Sequence, residues 1–210
     1  SSTDVVTEVP LARWNDAMLS AAPKGIESRR KHMAFVRNAD KFDNEAFDVP
    51  PAEATVMDPQ QRLLLEFGYE ALHAGRVERS ELLGSSTAVY VAVTFLAFEE
   101  ELRSSIAGSS VFAGTGSALS VVAGRLSYAL GIHGPSLVIE TACSAALAAC
   151  HAAATGFRNY ECELALSGAV NLILSPIETT RFAVAGMTSP TGRSHTFDAR
   201  ADGYARGEAC

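Results

Sequence analysis

Three apolar runs, each separated from the next by a helical pattern, constrain this chain more than any other feature. "STAVYVAVTF" (residues 86–95), "SLVIE" (136–140) and "CELALSGAVNLIL" (162–174) are apolar nearly throughout. Such continuous runs, without polar alternation, suit strands buried on both faces. Between them, "SALSVVAGRLSYALG" (117–131) and the alanine-rich stretch after Cys143 read as helices. Strands alternating with helices predict an α/β fold whose sheet is covered on both sides.

Ahead of the first run, "MDPQQRLLLEFGYEALHAG" (57–75) predicts a further helix. Asp58 is placed to cap it, Pro59 suits the first helical position, and Gly75 stands where a glycine stop belongs. Leu63, Leu64, Phe67, Ala71 and Leu72 share one face at helical spacing and are expected in the core. Residues 1–56 read as irregular, with turn formers at Pro10, Pro23, Gly25, Pro50 and Pro51. After Ser175 the chain becomes glycine-rich, charged and aperiodic. The "GTGSALSVVAG" stretch (114–124) lacks the glycine spacing of a dinucleotide loop and the Gly-Lys-Ser/Thr of a P-loop. Its glycines are expected to permit a tight turn into the helix.

A formal charge of −7 and the absence of a Lys/Arg stripe interleaved with aromatics argue against nucleic acid as a partner. The densest basic cluster, Arg29-Arg30-Lys31-His32, is expected to be a solvated face. No segment approaches the length of a membrane span, and the N-terminus lacks a signal pattern, so no membrane association is expected. Cys143, Cys150, Cys162 and Cys210 have neither zinc-site spacing nor the density of a disulfide scaffold, and no metal site is expected. A cytoplasmic, reducing setting follows as the expectation. Asp198, Asp202 and Glu208 alternate with Arg200 and Arg206, a pattern of ion pairs and turns more than of catalysis.

Cys143 is the strongest candidate for chemistry. A strand delivers the chain to a corner at Thr141-Ala142, and a helix then runs through Ala145, Ala149 and Cys150 to an expected stop at Gly156. A thiol in the first turn faces unpaired backbone N–H groups and the helix dipole, which favour thiolate by about 0.3–2 kcal/mol. The same N–H groups suit a developing oxyanion. A buried structural cysteine is the competing reading. Cys150, two turns further along, has no such surroundings and is read as structural.

A nucleophilic cysteine normally works with a histidine. His151 sits about 12 Å along the same helix, and His133 precedes the incoming strand at its far end. His32 and His73 read as surface residues. His195 lies in the glycine-rich tail, leaving a cysteine hydrolase built on His195 as one rival reading. The residues alone identify no base.

"ETACSAALAACHAA" resembles the active-site segment of β-ketoacyl synthases, especially the ketosynthase domains of modular polyketide synthases and type I fatty-acid synthases. "EVPLARW", "FDNEAFDVPPAEATVMDPQQRLLLEFGYEALHAG", "GTGSALSVVAGRLSYALGIHGPS" and "SPTGRSHTFDARADGYARGEA" agree with that family in its order. The resemblance implies a partial thiolase-like fold, residues 1–210 being an N-terminal portion that lacks the family's first strand and its second half. It implies Cys143 as the nucleophile that accepts an acyl group, followed by decarboxylative Claisen condensation with a malonyl-type extender. It further implies acyl chains presented on the phosphopantetheine of an acyl carrier protein, a homodimer, adjacent synthase domains, and no directly bound cofactor. The two histidine patterns of the family, His-Gly-Thr-Gly-Thr and Asn…Gly-His, do not occur here, so these residues alone are expected not to condense. Glu140 stands where the family usually has Asp, and Ala145 and Ala146 replace the customary serines. Ala209 replaces a glycine, and Ser194 and His195 are unusual for their block. A non-condensing scaffold or interaction module is the alternative function.

Overall fold

The computed structural model describes residues 4–14, 23–103 and 105–210. In chain order the strands and α-helices are β1 (Val6–Glu8), β2 (His32–Ala34), α1 (Pro51–Val56), α2 (Pro59–Ala74), α3 (Arg79–Leu82), β3 (Ala88–Ala92), α4 (Phe98–Arg103), α5 (Ala113–Ser117), α6 (Leu119–Leu130), β4 (Ser136–Ile139), α7 (Ala145–Arg158), β5 (Ala165–Ala169) and α8 (Pro176–Val184). They form two compact units, one of residues 1–37 with 172–209, the other of residues 38–171 with Cys210.

The larger unit is built on a parallel sheet in the order β4-β3-β5, with Val89 opposite Ser136 and Ala88 opposite Ala165. Every residue of β3 is buried, as its unbroken apolar run predicts. Side chains alternate across a strand, so its two faces meet different neighbours. Ala88, Tyr90 and Ala92 pack with Ala145, Ala149 and Ala153 of α7, and Ala165 and Ala169 of β5 join them. On the opposite face, Leu166 of β5 and Leu126 of α6 close on Gly68 of α2, while Leu64 lies against Gly168. Helices therefore cover both faces of the sheet, in agreement with the α/β expectation.

Helix α2 starts as its sequence predicts. Asp58 Oδ1 accepts from the Gln60 amide at 2.8 Å, with Pro59 in the first helical position. Its buried side differs from the predicted stripe: Gln60, Gln61, Leu63, Leu64, Leu65 and Leu72 are buried, whereas Phe67 is 42% exposed and Ala71 is also exposed. The two glutamines are buried because each has a carbonyl to satisfy. Gln61 Nε2 donates to Gly116 O at 3.0 Å, and Gln60 Nε2 to Phe95 O. Arg125 closes the network from α6, donating to Gln61 Oε1 at 2.6 Å and pairing with Glu53 at 2.5 Å.

The expected tight turn at the "GTG" stretch is instead the short helix α5. Its Gly116 is required by close approach, since a Cβ there would stand 2.2 Å from the Val56 carbonyl oxygen. Backbone on both sides leaves little to give. Gly116→Ala is expected to destabilise the protein by about 1–3 kcal/mol, read as a lower denaturant midpoint, and an unchanged midpoint would refute the close contact.

Gly156 does not stop α7, which continues to Arg158 before the left-handed Tyr160 turns the chain. A Cβ at Gly156 would lie 2.4 Å from the Tyr90 hydroxyl, so this glycine sets how closely helix and strand pack. Gly75 ends α2 with an ordinary φ of −73°, and the left-handed residue is Arg76. Gly131 acts as a conventional stop, with φ +67° after α6, and Gly186 does the same after α8 with φ +70°.

Asp58 is fully buried. Burial pushes its carboxyl up to about 6, against the Gln60 and Phe98 hydrogen bonds and the Arg62 charge, which act the other way. An acid raised from its unfolded value of 3.8 holds its proton more tightly in the folded chain. Its contribution to stability is therefore greatest below about pH 4 and declines as pH rises towards 6, by about 3 kcal/mol. Urea titrations of the protein and of Asp58→Asn at pH 4, 5 and 7 test this. The difference between the two should change over that window and be flat above it; parallel curves throughout would refute the assignment.

In the smaller unit β1 and β2 pair antiparallel, with Thr7 opposite Met33. Trp14, Met33 and Ile173 form its core, flanked by Val9 and Phe35. Residues 1–56 are thus less irregular than the sequence suggests. The stretch after Ser175 also contains an unforeseen helix, α8, capped by Ser175 Oγ on the Ile177 amide at 3.2 Å with Pro176 in the first position. That Ser-Pro start was readable in the sequence. The basic cluster is a solvated face only in part, Lys31 being exposed. Arg29 donates to Thr188 O and pairs with Asp202 at 2.8 Å, Lys31 pairs with Glu8 at 2.9 Å, and Arg30 and His32 are partly buried.

The acidic residues near the C-terminal end form ion pairs and turns, as expected. Arg200 beside Asp198 holds that carboxyl down at about 2. Glu208 is fully shielded from solvent and accepts from Arg13, the Val36 amide and the Ile173 amide at 2.8–2.9 Å. Two sequence blocks 195 residues apart, "EVPLARW" and the segment around "RGEA", meet through that carboxylate.

Candidate active site

Strand β4 hands the chain to a corner of five residues, Glu140–Ser144, before α7 begins. Thr141 has φ −136° and ψ 37°, and Ala142 has φ +53°, a left-handed conformation that costs an L-residue about 1–2 kcal/mol. Residues Ala142–Ser144 form a single 3₁₀ turn, and the α-helix starts at Ala145. Cys143 therefore lies in the turn before α7, two residues earlier than the first-turn position read from sequence. Its thiol is exposed.

The corner is held by local hydrogen bonds. Glu140 Oε1 accepts from the Ala142 amide at 3.0 Å. The Ser144 hydroxyl lies 2.8 Å from the Thr141 carbonyl and 2.9 Å from its Oγ1, and the Ser144 amide also donates to the Thr141 carbonyl. Ser144 occupies the N-cap position yet makes no side-chain cap. The hydroxyl that ordinarily accepts from the first-turn amides is turned backward. No side-chain oxygen therefore compensates the positive end of α7. Among the described residues the Cys143 amide has no hydrogen-bond acceptor, whereas the amides of Ala142, Ser144 and Ala145 are all engaged. A thiol beside one uncommitted N–H at a helix start is equipped to attack a carbonyl and hold the resulting oxyanion.

Cys150 lies further along α7 and is exposed, not buried; the Ser167 hydroxyl donates to its sulfur at 3.5 Å. Cys162 is buried beside Tyr90, and burial pushes its thiol up. All four cysteines are free thiols. In this unit His73, His133 and His151 are exposed, and His133 stands at the opposite end of β4 from Cys143. None is brought to the thiol through a hydrogen bond. His195 belongs to the other unit. Sequence reasoning missed the left-handed Ala142 and the role of Glu140 at the corner. The only available signal was an acidic side chain two residues ahead of it, a spacing that suits a side-chain-to-amide turn.

No helix of the described residues is long and apolar enough to cross a membrane, and no cluster of three or more His, Cys, Asp or Glu suited to a metal ion occurs among them.

The family described as "Beta-ketoacyl synthase, N-terminal domain" matches residues 1–210. The chain is 37% identical over 209 residues to a mycocerosic acid synthase-like polyketide synthase of Mycolicibacterium smegmatis, covering 99% of this chain and 10% of that protein. It is 40% identical over 208 residues to one component of the phenolphthiocerol/phthiocerol polyketide synthase of Mycobacterium tuberculosis, covering 98% of this chain and 14% of the relative. Among solved structures, the ketosynthase from module 6 of the bacillaene synthase of Bacillus subtilis 168 superposes with a TM-score of 0.85 at 30% identity, over 97% of this chain and 33% of that one. An oxazolomycin ketosynthase domain of Streptomyces albus gives 0.83 at 31% identity, over 96% of this chain and 36% of its own. The chain thus spans about a tenth of the curated relatives' length and about a third of the ketosynthase structures.

Proposed function

The chain belongs to the β-ketoacyl synthase N-terminal-domain family and has the corresponding part of a thiolase-like fold, and from that premise we propose that Cys143 is the acyl-accepting nucleophile of a polyketide-type ketosynthase. The observation that carries this is an exposed thiol on a left-handed corner, with its own amide uncommitted and the start of α7 directly behind it.

In the proposed cycle the Cys143 thiolate attacks the carbonyl of an acyl thioester carried on the phosphopantetheine of an acyl carrier protein. The Cys143 N–H donates to the oxyanion as it forms. Collapse breaks the old C–S bond, the pantetheine sulfur leaves and takes a proton, and the acyl group remains on Cys143. A malonyl-type thioester then loses CO₂, and the resulting carbanion attacks the Cys143 thioester. A C–C bond forms as the C–S bond breaks, and the cysteine thiolate is released. Residues 1–210 are proposed as part of one such domain, acting as an acyltransferase in a cytoplasmic homodimer with adjacent synthase domains. No directly bound cofactor is part of the proposal.

The five histidines of these residues do not stand in the family's two catalytic patterns. Loading without condensation is therefore the expected behaviour of the chain by itself. Incubation with an acyl N-acetylcysteamine thioester should add one acyl mass, mapped to the Cys143 peptide. Subsequent malonyl-carrier protein should yield no β-ketoacyl product. A ketoacyl product that disappears in Cys143→Ala would overturn the second half of this reading. Absence of any loading, with equal slow alkylation of Cys143 and Cys150, would favour the scaffold alternative.

A further inference from the structure

Ala142 is the strained element of the corner. A positive φ is uncommon for any residue but glycine, and the side chains that tolerate it best, Asn and Asp, do so by bonding locally. Alanine has no such group. Something outside the residue must hold it, and the structure offers one side-chain contact to its backbone, the Glu140 carboxylate on its N–H at 3.0 Å. The Thr141–Ser144 bonds span the same residue without touching it.

Resting on the reading of Cys143 as nucleophile, we infer that Glu140 is a positioning residue for that thiol, acting through Ala142. By engaging the Ala142 amide it keeps φ positive, which determines where the next residue projects its sulfur and its N–H. It also withdraws one amide from the corner, so that the uncommitted donor is the one on Cys143 itself. The contact requires a hydrogen-bond acceptor of suitable reach and does not require a negative charge. A carboxylate near a thiol in fact opposes thiolate formation. Charge and position therefore predict opposite results when Glu140 is removed.

The test compares Glu140→Ala, Glu140→Gln, Ala142→Gly and the double variant Glu140→Ala/Ala142→Gly. The readouts are the acyl-loading rate from an N-acetylcysteamine thioester and the iodoacetamide rate of Cys143 relative to Cys150 in the same molecule. Glu140→Ala should slow loading by about 10- to 100-fold, the scale of a small misplacement of a reacting group, with an unchanged urea midpoint. Glu140→Gln keeps an acceptor and should stay within about threefold. Glycine holds a positive φ unaided, so in the Ala142→Gly background the loss of Glu140 should cost little. The Cys143-to-Cys150 alkylation ratio should follow the same order. Faster reaction in both Glu140 variants would show a charge effect and overturn the inference. So would equal losses with and without Ala142→Gly. Should no variant and no wild-type protein load acyl groups, the functional reading fails, and the alkylation ratios still decide whether Glu140 positions the thiol.

Discussion

Cys143→Ala is expected to reduce acyl loading to background, while Cys150→Ala leaves it within about twofold, the contrast expected between an activated and an ordinary thiol. Both cysteines are exposed, so accessibility does not separate them. What separates them is backbone. Cys143 stands just ahead of α7, whose start has no side-chain cap, with its own amide uncommitted, whereas Cys150 lies within the helix. Removing the nucleophile of an acyl-transferring serine protease costs on the order of 10⁶ in kcat. An acyl-loading site without its companion histidines starts from a lower rate, and a loss of at least about a hundredfold is the measurable expectation. Intact-mass spectrometry at several times, with circular dichroism to confirm the fold of each variant, gives the answer. Equal loading of the two variants would remove Cys143 from its assigned role.

Glu208→Ala is expected to produce the largest loss of stability, about 3–5 kcal/mol. Its carboxylate is fully shielded and satisfies three donors at once, one of them the guanidinium of Arg13, itself only 16% exposed. Truncation leaves a nearly buried cation and two backbone amides without acceptors, and each orphaned group carries its own desolvation penalty. Trp14, the chain's single tryptophan, lies in the core of the same unit next to Phe35. Its fluorescence therefore reports unfolding where the damage is made. A shift below about 1 kcal/mol, the range of an ordinary surface ion pair, would contradict the assignment of Glu208 as the tie of this unit.

Elements whose causes lie close together in sequence were readable. The β3 run, the Asp58–Pro59 start of α2 and the helix after Cys143 all follow from residues within a few positions of one another. The glycines were harder to interpret. Gly116 and Gly156 looked like turn or stop signals, yet each is small because another segment passes against it: the Val56 carbonyl in one case, the Tyr90 hydroxyl in the other. Arg29 reads as solvated in sequence because its acceptors, Thr188 and Asp202, are more than 150 residues away. Phe67 and Ala71 matched the helical period but are exposed, since period alone gives a stripe without fixing which side the rest of the protein covers.

The α/β class, the family and the cysteine worth watching are all legible in the residues, because strand and helix patterns and short motifs are encoded by near neighbours. The folded chain was needed to learn that Cys143 sits in a 3₁₀ turn ahead of the helix, that Ala142 is left-handed, and that the Glu140 carboxylate accepts from its amide. A φ angle is a compromise among the strand that ends, the helix that begins and the groups able to bond between them. That compromise is settled by packing, and no single residue type in the motif announces it.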